Sequence, residues 1–235
     1  MLHAIRVPAL IATLLLPALA APASATEIRV LSSNALNIPE RKLAEAFTKE
    51  TGQQVTFVFG SPGQVEQRLK AGEAYDLVIM ATEAAAARAK DWRAGSRRPF
   101  ARVGIGLAVR EGTKLDLSSV ESTRKALLDA KSLTLSDSST GGLSGPNSLK
   151  VLAKLGIADA VKAKLVLSAS GQDLIAKGVV LAGPVPAAVQ VYINYDAAIP
   201  AAATAPEGAA ALVKYFTSPQ ARATWDAAGL ELAPE

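Results

Sequence analysis

Cysteine is absent from this chain of 235 residues, and histidine occurs once, as His3. Without cysteine there is no disulfide staple, no thiol nucleophile and no thiolate metal site. His3 precedes a short apolar run, so a mature chain that has lost that segment has no imidazole either. Ser-His triads, histidine-based proton transfer and zinc sites are thereby excluded together. Catalysis by Lys, Asp, Glu or Tyr stays open on composition alone. A long basic run is also missing. The densest cluster is Arg93, Arg97, Arg98 and Arg102, in a chain of net charge +4. Nucleic-acid recognition needs a concentrated basic stripe with reading groups, so this cluster reads as a solvated face and no nucleic-acid partner is expected.

The first 25 residues do not read as part of a fold. Arg6 supplies positive charge, an apolar stretch follows from Val7 to Ala20, and Ala23-Ser24-Ala25 offers the small residues at which a signal peptidase cuts. This is the layout of a secretory signal, and its apolar core is too short for a membrane span. Removing residues 1–25 takes away one arginine and no acid, lowering the net charge from +4 to +3. No cysteine follows to carry a lipid. The mature protein is therefore expected free in the periplasm.

Strand and helix patterns alternate through the rest. Residues 27–32 and 54–59 are β-type runs, and 75–81 is a continuous apolar run of the buried parallel kind. Between them, Pro39 opens a helix to Glu50 that stops at Gly52, and a second helix covers 65–71 before Gly72. A helix is expected over 82–93 and a strand over 101–109. Ser118 or Ser119 caps a helix to about Ala130, 132–136 is a strand, Pro146 starts a helix, 164–168 is a strand and 171–177 a helix. The chain ends with a strand over 190–195 and helices over 206–217 and 219–228, Pro219 opening the last. This order argues an α/β fold with doubly wound, mainly parallel sheets, and the length suits two lobes.

In open parallel sheets, ligands bind beyond the carboxyl ends of the strands. Three loops fall there: Ser32-Ser33-Asn34-Ala35, Gly60-Ser61-Pro62-Gly63, and the stretch from Ser138 to Gly145. Each offers hydroxyls, or glycines that let backbone N–H groups approach a guest. Helix N-termini add unpaired donors and a positive dipole end, which bind anions without a cationic side chain. Ser, Gly and Asn are equally ordinary as turn and N-cap residues. Three such loops in one exported chain favour a binding site without identifying the ligand.

At these residues the chain resembles the periplasmic molybdate-binding proteins, and more closely a diverged branch of them. The resemblance runs through EIRVLSSNAL, LAEAFTKETGQQVTFVFGSPGQVEQRLKAGEAYDLVIM, RVGIGLAVREG, LTLSDSSTGGLSGPNSLKVLAKLGIAD, GPVPAAVQVYINYDAAI and FTSPQARATWDAAGLELAP, nearly the whole mature chain. It implies a type II two-lobe clamshell with crossing hinge strands: lobe one over 26–101 and 190–235, lobe two over 102–189. It implies a monomer that hands a small oxyanion, molybdate or tungstate, to the inner-membrane permease of an ABC importer. There is no catalysis, no cofactor and no metal ligand set. By this resemblance the ligand is held by Ser32, Ser33, Asn34, Ser61, Gly63, Ser139, Thr140 and Gly141, with Tyr192 as the hinge tyrosine. The family's first two binding serines fall at Ala35 and near Pro62, which leaves their neighbours as donors. Tyr192 and Tyr195 also read as amphipathic core residues of one apolar strand. After Gly178 roughly fifteen to twenty residues, about a strand and a loop, are missing relative to the family. Val179–Leu181 either substitutes for them or leaves lobe two a strand short.

Three other readings were weighed. Ser122-Thr123-Arg124-Lys125 has the S-x-x-K form of some hydrolases but lies in a surface helix. An organic carboxylate ligand usually calls for a cleft arginine, and none lies in the three loops. A degenerate relative, acting as a sensor, remains the third.

Overall fold

A computed structural model describes residues 27–140, 142–168 and 178–233. The expected signal segment, Gly141 and the helix expected over 171–177 lie outside the described residues. The larger sheet has six strands in the order β10-β4-β9-β3-β1-β2. These are β1 (Ile28–Ser33), β2 (Val55–Gly60), β3 (Leu77–Ala81), β4 (Arg98–Gly104), β9 (Tyr192–Ala198) and β10 (Leu230–Leu232). β1 pairs in parallel with both β2 and β3, whereas β9 runs antiparallel between β3 and β4, and β10 antiparallel to β4. Four strands thus point one way and two return.

Both faces are covered, as a sheet of this kind requires. On one face, α1 (Asn37–Thr51), α7 (Pro206–Phe216) and α8 (Pro219–Ala227) close a core containing Ile28, Val30, Leu36, Phe47, Phe100, Tyr195, Phe216 and Trp225. The rings of Phe100 and Trp225 meet edge to face with centroids 5.4 Å apart, a favoured aromatic geometry. On the other face, α2 (Pro62–Lys70), α3 (Thr82–Ala87) and Trp92 cover Leu31, Val78, Met80 and Ala198. The helix expected over 82–93 ends early because Trp92 turns in to pack there and donates its indole N–H to the Ala85 carbonyl at 2.8 Å. The acid Asp76 is only 2% exposed. It accepts the backbone N–H groups of Arg29, Thr204 and Ala205, so it ties β1 to the start of α7.

The strand expected over 101–109 is two strands. β4 stops at Gly104, and β5 (Gly106–Arg110) leaves the six-stranded sheet to pair antiparallel with β8 (Val179–Pro184). The break sits at Ile105. There the buried Gln190 side chain accepts from the Ile105 N–H at 2.7 Å and donates to the Ile105 carbonyl at 3.0 Å. A side chain at Gly104 would put its Cβ 2.8 Å from the Gln190 amide nitrogen, so glycine is required for this approach. Beyond the crossing, β6 (Leu133–Ser136) and β7 (Leu165–Ser168) form a parallel pair. With α4 (Val120–Asp129), α5 (Ser144–Lys154) and α6 (Ala158–Val161) they surround a second core of Ile105, Leu127, Val151, Leu152, Leu155, Ile157, Val161, Val185 and Val189. Ser119 caps α4 with a reciprocal capping box, as its position predicts. α5 starts at Ser144, two residues before Pro146. Gly145 is pressed so closely on the Ser136 carbonyl that any Cβ would lie 2.0 Å from it. The strand β10 has no counterpart in the sequence reading, because three residues carry too little pattern.

Replacing Gln190 by Ala removes both side-chain bonds across the crossing and leaves the backbone bonds that Ile105 makes with Val191 and Val185. We expect a loss of about 1–3 kcal/mol in urea unfolding. An unchanged midpoint and slope would mean that the crossing is held by its backbone alone.

Candidate functional site

The carboxyl ends of β1, β2 and β3 lie side by side. Ser33 is in register with Gly60, and Ser32 with Ile79. The turn that starts at Ser33 and the turn that starts at Gly60 are therefore neighbours, at the usual interstrand spacing of about 4.8 Å. After β1 the chain makes a 3-10 turn, Asn34–Leu36, that runs into α1. No side chain caps either the turn or α1. The first backbone N–H groups of the turn have no acceptor within it, which is the arrangement that receives an anion, whereas the Asn37 N–H at the start of α1 donates to the Asn34 carbonyl. α2 is different. Ser61 accepts the Gln64 N–H and Gln64 accepts the Ser61 N–H, so the chain itself caps that helix. Gly63 is exposed in its first turn.

The two serines that end β1 have different partners. Ser32 is fully buried and its hydroxyl donates to Glu40 Oε1 at 2.9 Å. Ser33, 3% exposed, lies beside the Tyr195 phenol. Asn34 is exposed. Burial raises the Tyr195 pKa, the neighbouring Ser33 hydroxyl lowers it, and the nearby Glu40 raises it, with a net rise. Tyr195 thus stays a neutral phenol.

Tyr192 is not brought to this turn. Side chains alternate along a strand, so positions 192 and 195 face opposite ways. Tyr195 goes with Ile193 and Ala197 into the larger core. Tyr192 donates to Glu231 Oε1 at 3.1 Å, and the Arg102 guanidinium lies 4.1 Å above its ring. The tyrosine beside the early serines is Tyr195, and the signal that finds it is the apolar alternation of β9.

From the third loop, Leu143 packs against the larger core. Ser138–Thr140 is a 3-10 turn, and the exposed Ser139 donates its N–H to Asp137 at 2.8 Å. That bond holds the Asp137 carboxyl below its usual pKa. Among the described residues, no group of three or more His, Cys, Asp or Glu side chains could hold a metal ion. A cavity of about 220 Å³ lies elsewhere, lined by Tyr75, Arg88, Asp91 and Trp92 near the start of β3.

The side chain that sequence reasoning missed is Glu40. It is completely buried, and its pKa is raised well above 4.5 by burial, with the Ser32 bond opposing. Among the described residues its second oxygen, Oε2, has no hydrogen-bond partner. In the sequence it reads as an ordinary acid in the first turn of a helix, where a charge is welcome.

The fold matches that of known proteins. The family model of bacterial extracellular solute-binding proteins matches residues 28–183 and 172–231, and the chain belongs to that family. Aconitate isomerase of Pseudomonas sp is 27% identical over 237 aligned positions, covering 89% of each chain. The molybdate-binding protein ModA of Azotobacter vinelandii is 28% identical over 155 positions, 65% of this chain and 60% of that one. The solved periplasmic molybdate-binding protein of Azotobacter vinelandii has a TM-score of 0.68 at 19% identity, over 88% of this chain and 100% of that one. The fold is thus that of two-lobe periplasmic binding proteins.

A raised carboxyl pKa stabilises the folded state fully below the unfolded value, and that contribution fades as pH climbs through the folded value. Wild-type stability should therefore fall by up to about 1.4 kcal/mol per pH unit above 4.5 until Glu40 ionises. Glu40→Gln should flatten this limb of a pH series of urea titrations. Superimposable curves would mean that Glu40 does not titrate with folding.

Proposed function

We propose that this chain is the exported solute-binding component of an ABC importer. It holds a tetrahedral oxyanion of the molybdate or tungstate type between lobe one, 26–101 with 190–235, and lobe two, 102–189. The observation that carries this reading is the uncapped turn after β1, with Ser33 and Tyr195 side by side next to it and Leu143 of the lobe-two loop packed against the larger core. The donors are the side chains of Ser33, Asn34, Ser61, Ser139 and Thr140, the backbone at Gly63 and Gly141, and Tyr195 in the place first given to Tyr192. Ser32 acts from beneath through Glu40.

Each hydrogen bond to a charged group contributes about 1.5–3 kcal/mol net. Five or six of them can offset desolvation and closure and still leave micromolar affinity, about −8 kcal/mol. Neutral donors suit a site that must also stand empty, since a buried cation would then be unpaired. Closure of the lobes gives the loaded protein a shape that a permease can read.

The reading includes a shortened lobe two. Val166 and Leu167 on β7, and Val180 and Leu181 on β8, are four of the exposed large apolar side chains. They sit on two separate two-stranded sheets, which supports a strand missing between them.

The named activity of the Pseudomonas relative favours a second reading, in which the cleft takes an unsaturated tricarboxylate and shifts a proton within it. Glu40 is then the carboxyl available near the site. Incubation with aconitate, followed by chromatography of its isomers, separates the two readings.

On the first reading, molybdate and tungstate raise the melting temperature of the mature protein and sulfate raises it less. Ser33→Ala and Tyr195→Phe each weaken molybdate binding by about 1–3 kcal/mol, whereas Tyr192→Phe leaves it unchanged. A panel in which no oxyanion shifts the melt would remove the reading. Equal titrations for the Ser33 and Tyr195 variants and the wild type would remove those residues from the site.

A further inference from the structure

A buried acid with an idle oxygen needs a reason to be where it is. Glu40 lies on the face of α1 that carries Leu43, Ala44 and Phe47 into the larger core. The side chains that α7 and α8 bring to that core are apolar, among them Leu212, Phe216 and Trp225. From β1 the one polar partner is Ser32, and from β9 the titratable neighbour is Tyr195, which feels the charge of Glu40. Among the described residues no cation pairs with Glu40. A leucine here would continue the core and remove the unpaired acceptor, which is destabilising when buried, but it would leave the buried Ser32 hydroxyl without its partner. What a carboxyl does that leucine cannot is bond Ser32, the residue immediately before the donor Ser33. It also changes charge with pH.

We propose that Glu40 is a positioning residue of the anion site: as a neutral acid it fixes the Ser32-Ser33 step and its turn, and on ionising it withdraws the turn from anions. This rests on the anion-binding reading above. Two effects act in the same direction. An ionised Glu40 has no counter-charge in its surroundings, so the core around it must open towards water. Its negative charge also lies behind the donors that face the anion, and like charges in a poorly solvated setting repel. Anion binding and retention of the Glu40 proton are therefore linked. A bound anion raises the tendency of Glu40 to stay protonated, and a protonated Glu40 raises anion affinity by the same factor.

The test uses the mature chain and molybdate, with calorimetric titrations between pH 5 and 8.5. Wild-type affinity should fall tenfold or more across the range. Glu40→Gln keeps the shape and the bond from Ser32 but cannot ionise, and its affinity should stay level and close to the wild-type value at pH 5. Glu40→Ala, which removes the bond, should bind weakly at every pH. Equal pH slopes for wild type and Glu40→Gln would overturn the proposal, as would full affinity in Glu40→Ala. A second measurement needs no ligand. Hydrogen-exchange protection of the 33–37 amides, referred to that of α7, should drop in the wild type between pH 5.5 and 8 and hold in Glu40→Gln. If molybdate binds neither protein, the anion reading fails by itself. The exchange data then decide whether Glu40 governs the turn: a wild-type drop absent from Glu40→Gln upholds that role, and equal protection in both removes it.

Discussion

The last two residues of β1 set the character of this molecule. Ser32 bonds downward to a buried carboxyl, and Ser33 lies beside a tyrosine of β9. Between them these contacts bring together the first strand, the first helix and a late strand of the same sheet. β9 is also the strand that follows the second crossing between sheets, so whatever holds Tyr195 beside Ser33 also fixes where the other half of the chain returns. Gln190 performs the complementary task a few residues earlier by binding both backbone groups of Ile105. The two crossing segments are thus latched to each other by one side chain together with the backbone bonds of Ile105 to Val191 and Val185.

Much of this was legible in residue order. Apolar run, turn and helix cap were enough to place the strands and helices of the larger sheet other than β10, because each obeys local rules for caps and stops. Gly52 ends α1 and Pro219 opens α8, as such residues do. The breaks came where a distant partner overrode a local pattern. Residues 101–109 look like one strand, and nothing nearby announces that Gln190 will split them at Ile105. Tyr192 and Tyr195 look interchangeable until the pleat assigns them to opposite faces. Glu40 was silent for a related reason. Helical first turns commonly carry an acid in water, and only burial of the α1 face turns this acid into something else.

Chemically, the candidate site is a set of hydroxyl and amide donors with carboxyls close by. Asp137 already occupies the Ser139 N–H in the later loop, and Glu40 sits beneath the early one. A cleft with negative groups on both sides accepts an anion only if those groups are neutralised or turned away. That constraint favours a small, strongly accepting guest whose bonds to the donors outweigh the repulsion. It also makes selectivity a matter of cavity size and protonation more than of total charge, since molybdate, tungstate and sulfate are all tetrahedral dianions.

Tungsten scatters anomalously and strongly, so a crystal of the mature protein grown with tungstate addresses the central claim without ambiguity about ligand identity. The account predicts an anomalous peak within hydrogen-bond distance of Ser33 and Tyr195, facing the loop that carries Leu143. A peak on the Tyr192–Glu231 face of the sheet, or none at saturating tungstate, would contradict it.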